Sequence, residues 1–81
     1  MFDVGDSLTL SDGREYVIVS NATLDGKTYY YLGDIKEPTN VKFFVERIAD
    51  KVYMDEIKDE DTIKILYPLF EKSTKKFLKK N

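Results

Sequence analysis

The chain has no cysteine and no histidine among its 81 residues. Disulfides, Cys/His zinc sites, thiol nucleophiles, haem ligation and imidazole acid–base catalysis are therefore closed to it, which argues against an enzyme. Long apolar runs are also missing. No stretch approaches the ~20 residues of a membrane span, and Met1–Asp6 has neither a basic n-region nor an apolar h-region, so the sequence predicts a soluble cytoplasmic protein. The four glycines, Gly5, Gly13, Gly26 and Gly33, are scattered singly and form no phosphate-binding loop. Of the two prolines, Pro38 lies in the polar stretch Lys36–Asn40, which reads as a flexible loop, and Pro68 interrupts an apolar segment.

What the chain does have is aromatic rings, six Tyr and five Phe. A single domain of this length, residues 1–81, buries only about 60% of its unfolded surface, and large rings are an efficient way to offset chain entropy. The rings fall in β-branched runs punctuated by Asp12-Gly13 and Asp25-Gly26, and Asp-Gly is the strongest short-range hairpin signal. Five antiparallel strands are predicted within roughly residues 5–57: Ser7–Leu10, Arg14–Ser20, Lys27–Gly33, Val41–Ile48 and Val52–Ile57. Alternation puts Tyr16 and Ile18 on one face of the second strand and Val17 and Val19 on the other, so that strand reads as buried on both sides. In the third strand Tyr29 and Tyr31 share a face opposite Tyr30 and Leu32.

A net charge of −2 conceals a polarity along the chain. Asp55, Glu56, Asp59, Glu60 and Asp61 precede the apolar run from Ile63, and Lys72, Lys75, Lys76, Lys79 and Lys80 follow it. Acids at the start and bases at the end suit one long C-terminal helix over roughly 59–79. On a helical wheel Ile63, Leu66, Tyr67, Phe70, Thr74, Phe77 and Leu78 form an apolar stripe opposite most of the lysines, whereas Ile65 and Leu69 project from the lysine side. Pro68 removes the hydrogen bond to Lys64 and disfavours helical geometry at Tyr67. Two arrangements answer this: a helix kinked at Pro68, which the acidic first turn favours, or a sixth strand over Thr62–Leu66 with the helix starting at Pro68.

The order of these features resembles a known family. Asp12-Gly13-Arg14-Glu15-Tyr16, a short β run, Leu24-Asp25-Gly26-Lys27-Thr28-Tyr29, further strands, and Ile57 followed by Asp59-Glu60-Asp61 and a terminal helix look like the DUF1292 proteins, small uncharacterised and mostly Firmicute proteins. The resemblance spans about residues 5 to 78 and implies the strand-then-helix order and a bacterial cytoplasmic setting. It implies no activity. The chain departs from the family pattern in its shorter second strand, its weaker acidity and Pro68.

Together these readings predict an α+β domain, a five-stranded antiparallel meander with one face covered by the C-terminal amphipathic helix. The carboxylate cluster lacks the spacing and glycine of a calcium loop, and neither a metal nor a cofactor is called for. The leading functional expectation is a non-enzymatic protein-interaction module, acting as a monomer or weak homodimer through a sheet edge or an outer aromatic face. Its candidate residues are Tyr29, Tyr31 and Phe44, joined by Ile65 and Leu69 if the helix leaves them exposed. The alternative is a nucleic-acid-binding accessory protein that stacks bases on strand aromatics and uses Lys72, Lys75, Lys76, Lys79 and Lys80 as an electrostatic arm. Against it stands the net negative charge. The lysine face could also touch an anionic membrane, but the helix's apolar side is needed by the sheet.

Overall fold

The computed structural model describes residues 2–78, with side chains as far as Lys72. Five strands, β1 (Ser7–Thr9), β2 (Glu15–Leu24), β3 (Lys27–Asp34), β4 (Val41–Ile48) and β5 (Val52–Ile57), precede one helix, α1 (Glu60–Leu78). The strands form one antiparallel sheet in the order β1-β2-β3-β4-β5, the α+β meander expected from the sequence.

The two Asp-Gly pairs make different turns. Asp25 and Gly26 both have positive φ, 52° and 75°, as a two-residue type I′ hairpin requires, and Leu24 pairs directly with Lys27. This tight closure carries β2 past the predicted end at Ser20 to Leu24. At the first pair only Gly13 is left-handed, with φ 80°. The Gly13 amide donates to the Leu10 carbonyl at 2.9 Å and the Leu10 amide to the Arg14 carbonyl at 3.0 Å, the pattern of a three-residue loop ending in a left-handed glycine.

A register shift between Ile18 and Ser20 leaves Val19 as an extra residue in β2. Tyr16 and Ile18 are fully buried in a cluster with Tyr30, Leu32 and Phe44, against which Phe2, Leu8, Leu10 and Met54 pack. Beyond the shift, Ser20 pairs with Tyr31 and Ala22 with Tyr29, on the other side of the sheet. There Phe43, Leu66 and Phe70 form a second cluster with Ala22, Tyr29, Tyr31, Ile57, Ile63 and Leu69 around them. The expectation that β2 is buried on both faces fails at Val19, which is 38% exposed because the shift turns it out of both clusters.

Helix α1 begins at a capped end. The Asp59 carboxylate accepts from the Thr62 amide at 3.1 Å and from the Thr62 hydroxyl at 2.6 Å, and the Ile63 amide donates to the Asp59 carbonyl. Glu60 and Asp61 supply the acidic first turn. The helix runs unbroken through Pro68, so residues 62–66 are helical and the sixth strand is absent. Leu66 and Phe70 are buried as the wheel requires, but Leu69 is half-buried in the second cluster and Tyr67 is 42% exposed. Small side chains at Ser20 and Ala22 let α1 approach β2, and the buried Ser20 hydroxyl donates to the Phe70 carbonyl at 3.3 Å.

Candidate functional site

The aromatic residues singled out in the sequence do not gather on one surface. Tyr31 and Phe43 stack with centroids 5.3 Å apart, and Tyr31 also meets Phe70 at 5.7 Å and Tyr67 at 6.3 Å. Burial raises the pKa of the Tyr31 phenol, with Tyr67 adding to the shift. Tyr29 is half-buried against the same cluster. Phe44 pairs with Tyr30 on the opposite side of the sheet and is buried. Tyr29, Tyr31 and Phe44 are thus parts of two cores, and they do not form one outward platform. Ile65 is 59% exposed, but Leu69, the residue expected beside it, is tucked toward the sheet. Lys72 is exposed; the side chains of Lys75, Lys76, Lys79 and Lys80 lie outside the described residues.

A second assembly joins the β1–β2 turn to the β3–β4 loop. Asp34, at the end of β3, is 4% exposed. Its carboxylate accepts from Arg14 Nη1 at 2.8 Å, from Asn40 Nδ2 at 3.1 Å and from the amides of Lys36 and Glu37 at 2.9 and 3.3 Å. The Arg14 guanidinium, helped by these other donors, holds the Asp34 carboxyl well below the usual carboxylate range. Asn40 also donates to the Tyr16 hydroxyl at 3.1 Å, and Tyr16 donates to Asp12 at 2.7 Å. Burial raises the Tyr16 pKa, and the hydrogen bond from Tyr16 lowers that of Asp12. A groove of about 660 Å³ opens beside this network, lined by Arg14, Glu15, Lys36 and Glu37 among others. Its walls mix both charge signs, and every acceptor of the Asp34 carboxylate is used within the fold, so this carboxylate fastens two loops together.

The third assembly is the end of the β4–β5 hairpin. β5 is the last strand of the sheet, so among the described residues its outer edge carries no neighbouring strand. Ile48 and Val52 face one another across the ladder and are 74% and 43% exposed. Neither can turn inward, because the first cluster ends at Phe44 and Met54, closer to the middle of the strands. On the reverse side Arg47 lies over the Tyr53 ring, 4.4 Å from its centroid, and donates from Nε to Asp55 at 2.8 Å. This pair raises the Arg47 pKa and lowers that of Asp55, and the Tyr53 hydroxyl donates to Asp50 at 3.1 Å. Further in, Tyr30 donates to Glu46 at 2.8 Å, and burial with this hydrogen bond pushes its pKa up to about 12.

Sequence reasoning named none of Ile48, Val52, Tyr53 and Arg47 as functional. Ile48 and Val52 read as ordinary strand residues by alternation. The available signal was their position, flanking the Ala49–Lys51 turn before the last strand. Among the described residues no group of three carboxylates converges as a metal site would need, and no helix is long and apolar enough to cross a membrane.

The chain matches no family model, no curated protein and no solved structure.

Proposed function

We propose that this chain is a non-enzymatic protein-interaction module that docks a partner along the outer edge of β5. The observation that carries this reading is the Ile48–Val52 pair, two large apolar side chains exposed at the end of the β4–β5 ladder, where Val52 lies on the strand whose far side has no neighbour. An exposed apolar edge strand is costly to leave in water and supplies both halves of strand-addition recognition: main-chain hydrogen bonds for affinity and alternating side chains for specificity. Arg47 and Tyr53 add a stacked cation–aromatic pair of the kind enriched where proteins meet.

In this reading α1, bent at Pro68, covers the sheet face of Tyr31 and Phe43, and the module works in a bacterial cytoplasm. The absence of Cys and His, together with the use of Asp34, Glu46 and Asp55 as hydrogen-bond acceptors within the fold, supports a binding role over catalysis. The competing nucleic-acid reading keeps Lys72 and the lysines beyond it but loses a platform, since Tyr31 is engaged with Phe43 and Phe70.

The test is capture from bacterial lysate by the wild type and by Ile48→Lys plus Val52→Lys, with and without nuclease and at two salt concentrations. Proteins that survive nuclease and salt on the wild type and disappear with the double variant are expected. Nucleic acid that is retained by both forms and released at high salt contradicts the reading.

A further inference from the structure

Residues 51–55 at the β5 edge, Lys-Val-Tyr-Met-Asp, pair favourably with their own reverse. We infer that its occupant is a second copy of this chain, paired antiparallel through β5 about a two-fold axis at Tyr53; the inference rests on the docking-edge reading above. In an antiparallel ladder, residues whose backbone groups point outward pair only with residues that also point outward. A two-fold pairing of β5 with itself must therefore place some residue opposite its own copy.

The possible centres differ sharply in what they bring together. Centring on Asp55 opposes two carboxylates. Centring on Met54 sets Val52 against Glu56 and Tyr53 against Asp55, and centring on Val52 sets Met54 against Asp50. Centring on Tyr53 pairs Tyr53 with Tyr53, Val52 with Met54 twice, and Lys51, the turn residue just before the strand, with Asp55 twice; its one like-charge pair, Asp50 with Glu56, falls at the outer ends of the register. Aromatic, apolar and opposite-charge pairs are the ones that stabilise a sheet, and only this register has all three.

The neighbouring strand fits the same register. Arg47 already lies over Tyr53, so the two-fold would build a row Arg47–Tyr53–Tyr53–Arg47 across one side of the joined sheet. On the other side Ile48 and Val52 would continue into Met54 of the second copy, extending the apolar row that begins at Ile48, the most exposed large apolar side chain among the described residues. Lys51 takes part in none of the three ion pairs among the described residues, and the Asp55 side chain, although bound by Arg47, remains 47% exposed. Edge pairing over five residues buries little area, so the expected dimer is weak, with a Kd between about 10 μM and 1 mM.

The register makes a reciprocal prediction about charge. Lys51→Asp leaves two acids on the edge and Asp55→Lys leaves two bases, so each variant alone should dimerise at least about tenfold more weakly than wild type. Mixed one to one, the two variants restore both charge pairs and should form a heterodimer at near wild-type affinity. Sedimentation equilibrium reads all four samples, with circular dichroism confirming the fold. If Asp55→Lys fails to fold because Arg47 loses its partner, Tyr53→Ala and Lys51→Asp, both at exposed positions, read the same interface and should each weaken it. Wild type that stays monomeric to about 1 mM, or variants that associate as wild type does, overturn the inference. Monomeric wild type that still loses captured proteins on Ile48→Lys plus Val52→Lys overturns self-pairing alone; no self-association and no such loss overturn the docking edge as well.

Discussion

Arg14 reaches across 20 positions of sequence to place Nη1 2.8 Å from Oδ2 of the buried Asp34. The contact is the centre of the network that fastens the β3–β4 loop to the first hairpin, because the same carboxylate holds the amides of Lys36 and Glu37 and the side chain of Asn40. The pKa of Asp34 is lowered by folding, so its contribution is complete above the unfolded value of about 3.9 and is lost as pH falls below it toward the folded value. Asp34→Asn should lower the melting temperature at pH 7 by about 5 °C and flatten its decline below pH 4, read by thermal melts from pH 7 to pH 2.

Among the described side chains of α1, Phe70 and Leu66 are buried, and Ile65, next to Leu66 in the chain, is largely exposed. Phe70→Ala should cost about 3–5 kcal/mol and Leu66→Ala about 2–5 kcal/mol. Ile65→Ala should stay within about 0.5 kcal/mol. Urea unfolding separates the two groups, and equal effects at Ile65 and Leu66 would contradict the helix orientation.

Ser20 is buried where it meets α1, its hydroxyl donating to the Phe70 carbonyl. Ser20→Ala removes one hydrogen bond to a carbonyl and should cost about 1 kcal/mol. Ser20→Ile places a branched side chain in the same space and should cost about 1–3 kcal/mol by forcing the helix away from the strand. The same denaturant series reads both.

Pro68 is exposed and inside the helix. It withholds an amide from the Lys64 carbonyl. Pro68→Ala should therefore stabilise the protein by about 1–3 kcal/mol, visible as a higher urea midpoint at an unchanged slope.

Much of the fold was legible because its signals are local. Asp25-Gly26 names its turn type, and Asp59 followed by Glu60, Asp61 and Thr62 marks a capped helix start. The shift at Val19 was not legible, since no glycine or proline announces it. It arises where Ser20 and Ala22 must face the helix while Tyr16 and Ile18 fill the opposite cluster. The wheel misjudged Leu69 for a related reason: the stripe a helix buries is chosen by the surface beneath it as well as by its own periodicity, whereas Tyr67, partly exposed, does meet Phe43 and Tyr31 on the stripe expected for it. A sheet edge was anticipated as a docking surface, but not the residues that the structure exposes there. Ile48 and Val52 alternate like core residues, and only the strand order shows that β5 has no neighbour and that the core stops short of them. The family resemblance predicted the strand-then-helix order and carried no site.

The most direct measurement is a series of amide-correlation spectra of isotope-labelled wild type from about 10 μM to about 1 mM. Self-pairing through the docking edge predicts concentration-dependent shifts at residues 51–55 and at Arg47 and Ile48, with α1 unmoved. Spectra that do not change with concentration, or shifts centred on Ile65 and the lysines from Lys72 onward, would contradict it.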